Sequence, residues 1–136
     1  MESRKEINRK NLQYIFYPKS VAVVGTNKVL GTVPGDIFVN ILKTGFQGII
    51  YPVSPRERSI SGVKAYKYVI DIPDEVDLAV IVFPSSVCKL ALEQCGQKGI
   101  RSVIIISAGF REVGLKGLEK ERELVEIAEK YDMSFI

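Results

Sequence analysis

The residues best suited to chemistry lie in a glycine-punctuated loop after the first apolar run of the chain. Residues 21–24 are apolar, Gly25 and Gly31 bracket the loop, and a proline then opens an amphipathic segment. In α/β proteins this order presents backbone N–H groups and a helix N-terminus to an anion. The loop is neither Gly-x-Gly-x-x-Gly nor a P-loop. The alternative to a phosphate site is therefore a simple turn in which the glycines serve only the backbone conformation. We expect Thr26 and Asn27 to supply side-chain donors and Lys28 a mobile positive charge.

The residues that follow the second apolar run distinguish between nucleotides. A NAD-binding unit places Asp or Glu there to hold the ribose hydroxyls, whereas this chain continues with Ser54, Pro55 and Arg56. An arginine favours a phosphate on the ribose, because its guanidinium can make bidentate contacts. NADP carries such a phosphate at the 2′ position and coenzyme A carries one at 3′. Solvated surface charge is the alternative interpretation of Arg56 and Arg58.

Two later loops add weaker signals. Phe83-Pro84 forms a corner that offers a flat apolar wall to an adenine or a pantetheine arm, although Phe83 could simply end its strand. Residues 107–110, Ser-Ala-Gly-Phe, offer small side chains and free N–H groups. Four loops that are small, polar or basic therefore follow four predicted strands.

The positioning elements are strands that alternate with helices. The predicted strands are apolar nearly throughout and cover Ser20–Val24, Gly48–Val53, Asp77–Phe83, Arg101–Ser107 and Asp132–Ile136. Helices are predicted before Pro18, from Pro34 to Gly45, from residues 84–86 to Gly96 or Gly99, and over Gly117–Tyr131, and residues 56–76 are predicted to be a surface excursion. Apolar strands imply burial on both faces. This pattern predicts an α/β, Rossmann-like three-layer sandwich with a doubly wound, mainly parallel five-stranded sheet of order 3-2-1-4-5.

Composition limits the class of protein. The 136 residues predict one domain over 1–136, with 46% hydrophobic and 26% charged residues and a net charge of +3. Because the basic residues alternate with acids, we expect no nucleic-acid partner, and no run is long enough for a membrane span. The first residues lack the apolar segment of a secretory signal, so the cytoplasm is the expected location.

Two residue types restrict the chemistry further. The chain has no histidine, which removes histidine acid–base catalysis, a Ser-His-Asp triad and most zinc sites, so we predict no catalytic residue and no metal. Cys88 and Cys95 are seven residues apart on one predicted helix, about 10 Å between α-carbons, which is beyond disulfide reach. We interpret both as small apolar residues.

Four segments resemble the N-terminal CoA-binding domain of the NDP-forming acyl-CoA synthetases, relatives of the succinyl-CoA synthetase α subunit. They are residues 17–25 (YPKSVAVVG), 50–55 (IYPVSP), 76–82 (VDLAVIV) and 105–110 (IISAGF). The resemblance covers nearly the whole chain in order. It implies that coenzyme A lies across the loops, and it departs from the family where Ser54 replaces a frequent Asn and Lys67 a frequent Pro.

The resemblance also implies a set of CoA-binding residues. At the phosphate end these are Gly25, Thr26, Asn27 and Lys28; near the nucleotide Val53, Pro55 and Arg56; and along the remainder Phe83, Pro84, Ser107, Ala108, Gly109 and Phe110. The family joins an acid to CoA through an acyl phosphate and a phosphohistidine in a later domain, so this segment, without histidine, would be non-catalytic by itself. Its implied role is to position CoA or acyl-CoA beside further synthetase domains or subunits of an ADP-forming ligase, as a fragment of a longer chain.

Alternative functions remain open at this point. The arginines also fit the NADP-binding half of an oxidoreductase, although the chain shows no hydride-transfer residues. A stand-alone CoA-binding or interaction module with the same fold is a third hypothesis, because a fold does not by itself guarantee a function. All three allow a homo-oligomer.

Overall fold

The computed structural model describes residues 2–83, 85–106 and 115–136. The helices are α1 (Arg4–Phe16), α2 (Val33–Lys43), α3 (Ser85–Lys98) and α4 (Leu115–Lys130). The strands are β1 (Ser20–Val24), β2 (Ile49–Val53), β3 (Ser59–Ile60), β4 (Val63–Lys64), β5 (Leu78–Ile81), β6 (Ser102–Ile105) and β7 (Ser134–Phe135). A short 3-10 helix covers Val69–Asp71.

Five of the strands form one parallel sheet in the order β2-β1-β5-β6-β7. Alternate residues of β1 point to opposite faces, so Val21 and Val23 join one apolar cluster while Ala22 and Val24 join the other. The first cluster packs against α2, whose Phe38 is fully buried, and the second packs against α3 and α4. The predicted class, a Rossmann-like parallel sheet between helical layers, is confirmed.

The strand order shows that the excursion over residues 56–76 adds a bridge to the edge of the sheet. The apolar strand predicted as third is β5, and it lies between β1 and β6 rather than outside β2. The position outside β2 is taken by Tyr66, which makes a single parallel bridge with Val53. When the Tyr66 bridge is counted as the third position, the order is of the 3-2-1-4-5 type from the bridge to β6, and β7 lies beyond β6 as a sixth position. The excursion, predicted without regular elements, contains this bridge, the β3–β4 hairpin and the 3-10 helix.

The start of α2 is built by side chains from the loop before it. The Thr32 hydroxyl caps the helix by accepting a hydrogen bond from the Gly35 N–H at 3.3 Å, and Pro34 stands in the first turn. Asp36 lies in the same turn, where the helix dipole stabilises a carboxylate, and accepts a hydrogen bond from the Gly31 N–H at 2.9 Å. Local sequence thus fixes both the helix and the loop in front of it.

Candidate functional site

The carboxyl ends of three adjacent strands are joined by backbone hydrogen bonds. The Gly25 N–H donates to the Val53 carbonyl at 2.9 Å, and the Val82 N–H donates to the Val24 carbonyl at 2.8 Å. The exits of β1, β2 and β5 therefore meet at one edge of the sheet. This edge is where a doubly wound fold leaves a crevice for a ligand.

Gly25, directly after β1, lies against Val82 and Phe83, which follow β5. Its φ is +94°, a left-handed conformation that L side chains rarely adopt. A Cβ here would lie 2.6 Å from the Val82 carbonyl oxygen and 2.9 Å from the Phe83 ring. Two predicted site residues, Gly25 and Phe83, are thus in direct contact, and glycine at position 25 is what allows it.

The side chains of Thr26 and Asn27 bond to the main chain of the β1–α2 loop and of the first turn of α2. The buried Thr26 hydroxyl, expected to face a ligand, donates instead to the Pro34 carbonyl at 2.8 Å. The Asn27 Oδ1 accepts the Val29 N–H at 2.8 Å. By contrast, the backbone N–H groups of Asn27 and Lys28 donate to no acceptor in the described part of the chain. The loop therefore offers an anion its main chain, with Thr26 and Asn27 holding the shape.

Lys28, predicted to supply a positive charge to the loop, forms an ion pair. Its Nζ lies 3.0 Å from the Glu57 carboxylate, so an ion pair joins the β1–α2 loop to the turn after β2. That turn is shaped by Ser54, whose hydroxyl accepts the N–H groups of Arg56 and Glu57 at 3.4 and 3.3 Å. Arg56 itself is exposed and forms no ion pair with a described residue.

An apolar cavity of about 240 Å³ opens beside this turn. Its lining combines strand exits, the excursion and one face of α3, namely Val24, Val53, Pro55, Lys67, Tyr68, Phe83, Val87, Leu90, Ala91 and Gln94. Three predicted residues, Val53, Pro55 and Phe83, are brought together here, while Arg56 does not line the cavity. A flat apolar ring is the kind of group that such a lining accepts.

The sequence interpretation missed most of this wall. Val87, Leu90, Ala91 and Gln94 follow the i, i+3, i+4, i+7 spacing of one helix face, a signal that marks a shared surface without saying what covers it. Lys67 belongs to the excursion, whose position depends on long-range pairing with β2. Of the remaining predicted site residues, Pro84, Ser107, Ala108, Gly109 and Phe110 lie outside the described residues.

The two cysteines are structural, as predicted. Both are buried and neither forms a disulfide, and the Cys88 thiol donates to the Phe83 carbonyl at 3.3 Å. Burial raises the pKa of the Cys95 thiol to about 12, so it stays protonated and unreactive at neutral pH. In the described part of the chain, no helix is both long and apolar enough to cross a membrane.

Known proteins match this chain over most of its length. Residues 19–136 match a family model described as CoA binding domain. The ADP-forming acetate–CoA ligase II subunit alpha of Pyrococcus furiosus is 48% identical over 125 residues, which are 92% of this chain and 27% of that subunit. The ADP-forming 4-hydroxybutyrate–CoA ligase of Nitrosopumilus maritimus is 44% identical over 122 residues, 90% of this chain and 17% of the ligase.

Solved structures agree with the sequence matches. The apo form of the dinucleotide-forming acetyl-coenzyme A synthetase 1 of Ca. Korarchaeum cryptofilum superposes with a TM-score of 0.87 at 38% identity. PH0766 from Pyrococcus horikoshii OT3 gives the same TM-score at 49% identity. Each superposition covers 92% of this chain but 27% and 28% of the larger one. The chain therefore spans between about a sixth and a quarter of the length of these similar proteins.

Proposed function

Because this chain belongs to the CoA binding domain family, we propose that it binds coenzyme A across the carboxyl ends of β1, β2 and β5. The observation that carries the proposal is the apolar cavity next to a loop whose Asn27 and Lys28 N–H groups have no acceptor among the described residues. The cavity, walled by Val53, Pro55 and Phe83, takes the adenine ring. The N–H groups of Asn27 and Lys28, beside the N-terminus of α2, take the diphosphate.

The proposed role of the domain is to hold CoA for a reaction completed elsewhere. We extend to this chain the activity that the relatives' names state, which is ADP-forming ligation of an acid to CoA. With no histidine in its 136 residues, the chain contributes orientation of the CoA thiol toward an acyl phosphate rather than an acid or a base. Further synthetase domains or subunits are its proposed partners, and its cytoplasmic location stays a prediction.

Thermal denaturation tests the binding proposal. A ligand that binds only the native state adds about 2.7 kcal/mol of stability at a hundredfold excess over Kd. For a domain of this size, we expect CoA to raise the melting temperature by roughly 8 °C. Dephospho-CoA, which lacks the 3′-phosphate, should raise it less, and NAD should not raise it. A shift with NADP alone would contradict the proposal in favour of an oxidoreductase half.

Arg56 is the first residue to test in the nucleotide site. Arg56→Ala should reduce CoA affinity by roughly fivefold, the effect of about 1 kcal/mol for an exposed charge pair, and leave dephospho-CoA affinity unchanged. Isothermal titration calorimetry measures both affinities. Arg58→Ala is the matched control, because Arg58 is exposed in the same segment. Equal losses in the two variants would show a general effect of surface charge and remove Arg56 from the site.

A further inference from the structure

Lys67 is held in a defined position by residues on both sides of it. The Tyr66 N–H donates to the Pro52 carbonyl at 2.9 Å, and the Tyr66 carbonyl accepts the Ser54 N–H at 2.8 Å. On the other side, the Tyr68 N–H donates to the Asp71 carboxylate at 3.2 Å. The backbone of Lys67 is thus fixed to the outer edge of β2, next to the cavity.

The side chain of Lys67 places a positive charge in the lining of the apolar cavity. Lys67 lines the cavity together with Tyr68, and its Nζ lies 5.6 Å from the centroid of the Tyr68 ring. It forms no ion pair with a described residue, whereas Lys28 is paired with Glu57. An ammonium group that has no ion-pair partner among the described residues, on a side chain that lines an apolar cavity, is suited to an anionic group on a ligand whose flat part lies inside.

The topology separates Lys67 from the loop assigned to the diphosphate. The β1–α2 loop follows β1, on one side of β2, and Lys67 follows the bridge on the other side of β2. The 5′ and 3′ substituents of a ribose leave the ring in different directions. A nucleotide with its base in the cavity and its 5′-diphosphate at the loop can therefore present its 3′ substituent to the outer edge of β2, where Lys67 lies.

On this basis we propose that Lys67 binds the 3′-phosphate of coenzyme A and, together with Arg56, favours CoA over its dephosphorylated form. The inference rests on the proposed function and adds a residue to it. Arg56, which does not line the cavity, is then the more distant of the two cations from the base.

The test measures dissociation constants for CoA and dephospho-CoA by isothermal titration calorimetry on four forms of the chain. Lys67→Met removes the charge and keeps the apolar stem over Tyr68. Lys67→Arg restores a cation. Lys64→Met is the matched control, because Lys64 is a neighbouring lysine in the same excursion, with Nζ 5.2 Å from the Tyr66 ring, and it does not line the cavity.

We expect Lys67→Met to weaken CoA binding by about five- to tenfold while dephospho-CoA binding changes less than about twofold. Lys67→Arg and Lys64→Met should keep the wild-type preference. An unchanged preference in Lys67→Met, or an equal loss in Lys64→Met, would overturn the role of Lys67 and leave CoA binding by the domain intact. If the wild-type chain binds neither ligand, the proposed function itself fails.

Discussion

Gly25→Ala should lower the free energy of unfolding by about 2–5 kcal/mol. Two costs add at this position. The left-handed φ of +94° is strained for alanine, and the new Cβ would lie 2.6 Å from the Val82 carbonyl oxygen. Because that oxygen belongs to the main chain, β1 and the segment after β5 would have to separate. Urea unfolding followed by circular dichroism measures the change.

Gly31→Ala separates the two costs. Gly31 lies in the same loop with a similar φ of +86°, but a Cβ there would meet nothing within 4 Å. This variant should lose about 1–2 kcal/mol, from backbone strain alone. Equal losses at positions 25 and 31 would mean that the close contact of an added Cβ with the Val82 carbonyl oxygen and the Phe83 ring costs no stability.

Val87→Trp should abolish most CoA binding without unfolding the chain. Val87 lines the cavity and is 40% exposed, so an indole ring can be accommodated by entering the space that we assign to adenine. Loss of the base contacts should cost about 3 kcal/mol, which is more than a hundredfold in affinity. Calorimetric titration with CoA measures the loss, and the melting temperature without ligand should change little.

The control for this variant is Val125→Trp. Val125 is 41% exposed on α4, nearly the same as Val87, and it lies outside this cavity. CoA affinity should therefore stay within about twofold of wild type, since a remote surface change leaves the site unaltered. If Val87→Trp binds CoA as tightly as Val125→Trp does, the base does not occupy this cavity.

The parts of the fold that depend on local pattern were readable in the sequence. Continuous apolar runs such as Leu78–Ile81 can be buried only on both faces of a sheet, which requires helices on both sides and parallel strands. The loop after β1 was likewise predictable as a turn, because Gly25 and Gly31 mark left-handed positions. The resemblance to CoA-binding domains came from motifs in these same regular segments.

The site depended on contacts between distant residues. Local pattern did not show that the Thr26 hydroxyl is taken up by Pro34, or that Lys28 pairs with Glu57. Both are polar and were expected to face a ligand. The residue type determines which hydrogen bonds and ion pairs a side chain can form. Its neighbours in the folded chain determine which of them it forms.

What the sequence determined by itself is the layered α/β architecture and the edge of the sheet at which we propose that a ligand binds, because both follow from the alternation of buried strands with helices. Only the tertiary structure decided which residues form the wall of the cavity. Tyr66, within the excursion, pairs with β2, and this pairing places Lys67 and Tyr68 beside α3 in the lining of the cavity. Val53 and Tyr66 belong to no common helical or strand repeat in the sequence. The bridge between them is therefore stabilised by packing that exists only after the chain has folded.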